Sequence, residues 1–261
     1  MMRILHISDI HYSEDYFRCL TMYSPLMDQM KDPFAQLRQL MGNKNPDYDL
    51  ILCSGDICEY GTTEEYRRTR DRLQQYFGCP VLVTGGNHDI LANLMEGFSL
   101  PAKDGELFEV HHFDDLRVIC LNSSDADHND GFISEKSCDL LEEELQNEFP
   151  ATIIMTHHHL IPEQFSLPAA CYPECLRTII REAKVTAVIT GHTHHFWHGL
   201  FEGKEYFTTG SLSFVVDPDE SGKLLFYEGP SAIEYTLTNG RLEYNVLRTE
   251  TEGRKIGYLP T

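Results

Sequence analysis

The chain has 261 residues, 41 of them acidic and 21 basic, for a formal net charge of −20. That length, with 41% hydrophobic residues, suits a globular chain with a full core and excludes disorder. The acidity works against binding nucleic acid polymers or anionic membranes, and apolar runs such as Val81-Leu82-Val83 are too short to span a bilayer.

The first apolar run, Ile4-Leu5-His6-Ile7-Ser8, stops at Asp9, with His11 two residues on. It turns polar too early for a signal-peptide core, and none of the eight cysteines forms a CxxC pair, so a reducing cytoplasm is the expected setting. Cys53, Cys79 and Cys120 read as small core residues. His6, inside the run, reads as a core histidine with its hydrogen bonds satisfied. Residues 12–31 carry Tyr12, Tyr16, Phe17, Met22, Tyr23, Met27 and Met30. This segment reads as a cap over a site, a homodimer contact, or a loop packed on the core.

Pro33 to Met41, with Gly42 as a stop, predicts a helix. Leu50 to Ser54 predicts a strand ending at Gly55-Asp56. Thr62-Thr63-Glu64-Glu65 is a capping box, and Tyr66, Thr69, Leu73 and Phe77 follow at helical spacing. Val81 to Thr84 runs into Gly85-Gly86-Asn87-His88-Asp89. Residues 91–106 read as an exposed loop, and Leu116 to Leu121 as a strand, with His111 and His112 on the surface before it. A helix is expected from Ser134 through Leu145, with Glu142-Glu143-Glu144 on its wet face.

Thr152 to Thr156 leads to His157, and Val185 to Thr190 leads to Gly191-His192. Pro173 opens a helix between them, with Leu176, Ile179 and Ile180 on one face. These short runs, rich in Ile and Val, suit strands buried on both faces, and their alternation with helices predicts sheets covered by helices. After about residue 200 only strands are expected, at 206–209, 224–227, 233–237 and 242–247. Asn239-Gly240 marks a hairpin between the last two. The whole chain, 1–261, reads as one α/β domain of two stacked mixed sheets with a mainly antiparallel C-terminal part.

Polar side chains at the carboxyl ends of such strands converge on one crevice. Here they are Asp9, His11, Asp56, Asn87, His88, His157, His192 and His194. A mixture of carboxylate, amide and imidazole suits Mn, Fe, Zn or Co, and the absence of thiolates argues against structural zinc. The set is too large for one ion. Two ions sharing one carboxylate account for it, and such a pair, roughly 3.5–4 Å apart, clamps both oxygens of an in-line displacement. Asp9-x-His11 and His192-x-His194 are expected to set two ligands on one side of an extended segment.

Asp9-x-His11, Gly55-Asp56, Gly86-Asn87-His88-Asp89, His157 and Gly191-His192-Thr193-His194 resemble, in order, the five blocks of the calcineurin-like metallophosphoesterases. Ser54-Gly55-Asp56-Ile57-Cys58 with Gly61 and Glu64-Glu65-Tyr66 is similar to bacterial cyclic-nucleotide and glycerophosphodiester phosphodiesterases. The resemblance implies a four-layer αββα sandwich. It implies that Asp9, His11 and His194 hold one ion, that Asn87, His157 and His192 hold the other, and that Asp56 bridges them. His88 would be the catalytic histidine near the leaving oxygen, with Asp89 orienting it or its loop. The fourth block, His157-His158-His159-Leu160, departs from the usual His-His-Pro-Pro. That leaves His157 and His158 in competition, with His157 preferred because it directly follows the apolar run. Cys58-Glu59-Tyr60-Gly61 is not the Asp-Arg-Gly element of protein phosphatases.

The expected activity is therefore hydrolysis of a small phosphodiester by hydroxide generated on two divalent ions. The alternatives are a phosphomonoesterase or nucleotide pyrophosphatase of the same superfamily, or a non-catalytic scaffold. A scaffold would have lost ligands or the His88 equivalent, and this chain keeps them.

Overall fold

The computed structural model describes every residue except 19–20, 43–46, 104–105, 126, 163, 166, 250–252 and 260–261. Cys19 and part of the 12–31 segment thus lie outside the described residues. The first half of the chain forms β1 (Met2–Ile7), α1 (Ser24–Met27), α2 (Pro33–Met41), β2 (Leu50–Cys53), α3 (Thr63–Phe77), β3 (Val81–Val83) and α4 (Leu91–Phe98). The middle forms β4 (Phe108–His112), β5 (Leu116–Leu121), α5 (Glu135–Leu145), β6 (Ala151–Met155), α6 (Glu174–Glu182) and β7 (Ala187–Thr190). The remainder is all strand: β8 (Trp197–Phe201), β9 (Lys204–Thr208), β10 (Phe214–Pro218), β11 (Leu224–Glu228), β12 (Ser231–Thr238), β13 (Arg241–Arg248) and β14 (Lys255–Tyr258).

The strands make two mixed sheets and a small third one. The first has the order β13-β12-β1-β2-β3, with β1, β2 and β3 parallel. The second has the order β4-β5-β6-β7-β9-β8, with β5, β6, β7 and β9 parallel. Strand alternation divides the apolar side chains of each sheet between two cores. Ile4, Leu50, Leu52 and Ile233 of the first sheet face Val118, Ile153, Ile189 and Phe207 of the second. On the opposite face of the first sheet, Leu5, Ile7, Ile51 and Val83 pack against Leu37 of α2, Tyr66 and Leu73 of α3 and Leu94 of α4. On the outer face of the second, Ile119, Ile154 and Val188 pack against Leu141 of α5 and Ile180 of α6. The result is the helix–sheet–sheet–helix layering implied by the resemblance.

The third sheet, β10-β11-β14, is antiparallel throughout. Met27 and Met30 bury themselves against its Phe214 and Phe226 and against Leu259. Part of the 12–31 segment therefore packs on this sheet.

Local signals behave as their chemistry requires. Thr62 and Glu65 form a reciprocal capping box, and Gly78 ends α3 at φ 68°. Asn239 and Gly240, at φ 50° and 77°, make the two-residue turn of the β12–β13 hairpin. The loop expected over 91–106 is overturned in part: 91–98 is a helix. Its Leu91, Leu94, Met95 and Phe98 do fall at helical spacing, but no side chain caps its start and Gly97 sits inside it. Gly97 is there for packing, because a Cβ would collide with Tyr66 of α3. Among the described residues no helix is long and apolar enough to cross a membrane.

Candidate metal centre and active site

Each candidate residue leaves the sheet just beyond the carboxyl end of a parallel strand. Asp9 and His11 follow β1, Asp56 follows β2, and Asn87 and His88 follow β3. His157 follows β6, and His192 and His194 follow β7. The site thus straddles the junction of the two large sheets.

The local backbone is not the extended one expected. Asp9, His11, Asp56, His192 and His194 have φ of 54°, 48°, 49°, 71° and 60°. Left-handed backbone costs free energy in residues other than glycine and persists where the surroundings enforce it. Asp9-x-His11 and His192-x-His194 therefore bring their side chains together by turning sharply, not by alternation along a strand. Glycine makes room beside them: a Cβ on Gly86 would collide with Asp56 Oδ1.

Two groups of side chains form, joined by one carboxylate. In the first, His194 Nε2 lies 3.2 Å from Asp9 Oδ1 and 3.3 Å from His11 Nε2. In the second, Asn87 Oδ1 lies 3.2 Å from His157 Nε2 and 3.1 Å from His192 Nδ1. Asp56 Oδ2 stands between them, 3.5 Å from His11 Nε2 and 3.4 Å from His157 Nε2. Asp9, His11, Asp56 and His157 are all buried.

Outer partners fix three of the rings. His11 Nδ1 pairs with Glu59 Oε2 at 2.8 Å. His157 Nδ1 donates to the Ser54 carbonyl at 2.7 Å, and His194 Nδ1 donates to the Phe214 carbonyl at 2.6 Å. In the neutral ring a donating Nδ1 leaves Nε2 as a lone pair. Two such lone pairs, of His11 and His194, then face each other 3.3 Å apart, and buried Asp9 Oδ1 beside them accepts no hydrogen bond. Opposed lone pairs and an orphaned carboxylate oxygen are unfavourable without positive charge between them. The residues fit divalent cations.

The electrostatics point the same way. Burial disfavours the ionised form of Asp56, yet His157 and His88 hold its carboxyl well below the usual range. Burial likewise opposes charge on His157 and His88, but Asp56 acting together with Asp9 and the Ser54 carbonyl at His157, and together with Glu59 and Asp89 at His88, pushes both up to about 9. The cluster draws positive charge to its centre.

Sequence reasoning passed over Glu59. It is buried, and the same Oε2 that meets His11 lies 2.9 Å from His88 Nδ1. Burial would raise its carboxyl, but His11 and His88 bring it down to about 2. The available signal was a carboxylate three residues after Asp56 in the same loop. The Ser54 and Phe214 carbonyls belong to the backbone and left no signal in the side chains. Asp89 accepts from the backbone N–H groups of Ile57, Cys58 and Gly86 and from the Tyr66 hydroxyl. It ties the His88 loop to the Asp56 loop and to α3.

The neighbouring histidines divide by their contacts. Both ring nitrogens of His158 are occupied, one with Ser123 Oγ at 2.8 Å and the other with the Asn129 carbonyl at 3.2 Å. Its ring also packs on His192. His159 Nε2 donates to the Leu167 carbonyl. His6 meets Ser54 Oγ and Tyr235 in the core. His111 and His112 belong to β4 and are partly exposed.

A family model for calcineurin-like phosphoesterases matches residues 2–196. The chain belongs to that family. It is a metal-dependent phosphoesterase. It is similar to a probable cyclic nucleotide phosphodiesterase of Synechococcus, 30% identical over 62% of this chain and 68% of that one. It is also similar to a probable glycerophosphodiester phosphodiesterase of Arcobacter nitrofigilis, 32% identical over 74% of this chain and 75% of that one. A dimetal phosphatase from Danio rerio shares the fold at a TM-score of 0.58 and 14% identity, covering 98% of this chain and 99% of that one.

A cleft of about 740 Å³ opens onto His11, Asp56, Asn87, His88, His192 and His194 of this family member. Among the described residues no Lys or Arg lines it.

Proposed function

We propose that the chain is a binuclear-metal phosphodiesterase acting on a small phosphodiester of the cyclic-nucleotide or glycerophosphodiester type. Asp9, His11 and His194 hold one ion, Asn87, His157 and His192 the other, and Asp56 is shared. The observation that carries this reading is Asp56 Oδ2, within 3.5 Å of a histidine nitrogen in each cluster. His157 rather than His158 fits as ligand, because both His158 nitrogens are already engaged. The metal is of the Mn, Fe, Zn or Co class.

When bound, the two ions supply Lewis acidity and the positive charge that the phosphoryl group needs. The chain's own residues do the rest. The left-handed turns and the Nδ1 partners hold the ligand rings rigid before substrate arrives. Glu59, at ion-pair distance from His88 Nδ1, favours the protonated ring, whose Nε2–H can then serve the departing alkoxide. Among the described residues no Lys or Arg lines the cleft to meet further negative charge, which favours a monoanionic diester over a dianionic monoester or a polyanion.

The test is kcat/KM with Mn on bis(p-nitrophenyl) phosphate, p-nitrophenyl phosphate, cyclic nucleotides, glycerophosphodiesters and DNA. Diesters should lead the panel. Efficient cleavage of long DNA with weak turnover of small diesters would overturn the assignment.

A further inference from the structure

Beyond the polar centre, the cleft is walled by Tyr23, Phe165, Leu167, Phe214, Leu224 and Leu259. Phe165 stands out on three counts. Its φ is 48°, a left-handed backbone for a bulky residue. Its side chain is 48% exposed. Its ring stacks on His195, with centroids 4.2 Å apart and planes 20° from parallel.

Strain and exposure both cost stability, and the surroundings enforce them. Just ahead of Phe165, the side chain of buried Gln164 accepts from Thr208 at 2.8 Å. Just after it, the Leu167 N–H donates to the Gln164 carbonyl, and the Leu167 carbonyl accepts from His159. Below the ring, Asp217 lies 3.2 Å from His195 Nε2. Gln164 and Leu167 are thus pinned on either side of Phe165, and the ring rests on an anchored base. A strained residue held this firmly beside a reactive centre points to a role there.

We propose that Phe165 is the platform on which a flat aromatic or heteroaromatic ring of the substrate stacks, so that the class taken is a nucleoside-type phosphodiester rather than a glycerophospho headgroup ester. This rests on the phosphodiesterase reading above. His195 covers one face of Phe165, and Phe165 lines the cleft that leads to the metal ligands. The same cleft is lined by Phe214, Val216 and Leu224, apolar surface that suits an uncharged ring. Among the described residues Asp217 is the one carboxylate lining the cleft outside the metal cluster, and it is engaged by His195 and by the Tyr227 hydroxyl.

The experiment compares wild type, Phe165→Leu and Phe165→Ala, all loaded with Mn. Phe165→Leu keeps apolar bulk and removes the π face. Substrates with aromatic rings are cyclic AMP and bis(p-nitrophenyl) phosphate, and those without, which also carry no cation to sit on an aromatic face, are glycerophosphoglycerol and glycerophosphoinositol. Stacking of a base on an aromatic side chain supports a loss of roughly tenfold. The expected result is a KM raised by about that factor for the ring substrates in Phe165→Leu, with kcat nearly unchanged and no change for the others. Equal effects on both groups, or none on either, would overturn the proposal.

A second readout does not depend on turnover: calorimetric binding of adenosine 5′-monophosphate and of glycerol 3-phosphate, which share the phosphate and differ in the ring. Phe165→Leu should weaken only the first. A protein that hydrolyses no diester refutes the phosphodiesterase reading, and the calorimetric pair still decides the role of Phe165. A dimer in wild type that Phe165→Leu dissociates would also overturn the proposal, by assigning the exposed ring to a second copy of this chain.

Discussion

Glu59 Oε2 lies 2.9 Å from Nδ1 of His88 and is the same oxygen that meets Nδ1 of His11. One buried carboxylate therefore hydrogen-bonds a candidate metal ligand and stands at ion-pair distance from the candidate leaving-group histidine. Glu59→Gln keeps the size and removes the charge. It should weaken metal binding or turnover by roughly 10–100-fold, the usual worth of an outer partner of a ligand histidine. Metal titration followed by steady-state kinetics checks this. Wild-type values for both would remove Glu59 from the site's machinery.

His88 supplies a proton in this scheme and holds no metal. His88→Ala should keep metal content near wild type while cutting the rate by roughly 10²–10⁴. The loss should shrink for leaving groups such as p-nitrophenolate, which depart without help. The measurement is the leaving-group dependence of kcat in the two proteins. An identical loss for good and poor leaving groups would contradict the assignment.

Asp56 joins the two clusters, so its charge matters to both ions. Asp56→Asn should lower the metal content measured by elemental analysis from about two ions per chain and abolish most turnover. Wild-type protein that saturates at one ion with full activity would leave the second cluster without a metallic role.

Why the candidate cluster was readable from sequence, and its support was not, follows from how each is encoded. Asp9, Asp56, Asn87, His157 and His192 each follow a short apolar run, and a polar residue at the end of a buried strand is a local, one-dimensional signal. The layering was readable for the same reason, since strands and helices carry their own periods. Glu59, by contrast, matters because its loop folds back between His11 and His88, a relation set only in three dimensions. The Ser54 and Phe214 carbonyls that orient His157 and His194 could come from any residue type. The left-handed turns at Asp9 and His192 defeat a reading based on strand alternation, because that rule assumes extended backbone. The third sheet was half legible. Leu224 to Tyr227 shows as a strand, but its partners Phe214–Pro218 and Lys255–Tyr258 lack clean alternation and are paired by tertiary packing against Met27 and Met30.

Glu65 gives a prediction about stability rather than catalysis. Its carboxylate caps α3 through Thr62, accepts from the Glu14 backbone, and pairs with Arg18 at 2.7 Å. It thereby fastens the start of the 12–31 segment to α3. Burial would raise its carboxyl, but Arg18 and the Glu14 and Thr62 donors bring it down to about 2 from an ordinary 4.5. A carboxyl depressed on folding stabilises the protein above its unfolded value, and that contribution drains away as pH falls from about 4.5 through about 2. Glu65→Gln keeps much of the cap and loses the charge, at a cost of about 1–3 kcal/mol near pH 7. Urea midpoints of wild type and Glu65→Gln, followed from pH 7 downward, should differ most above pH 4.5 and converge toward pH 2. A gap that stays constant across that window would show that the Glu65 charge does not hold the segment in place.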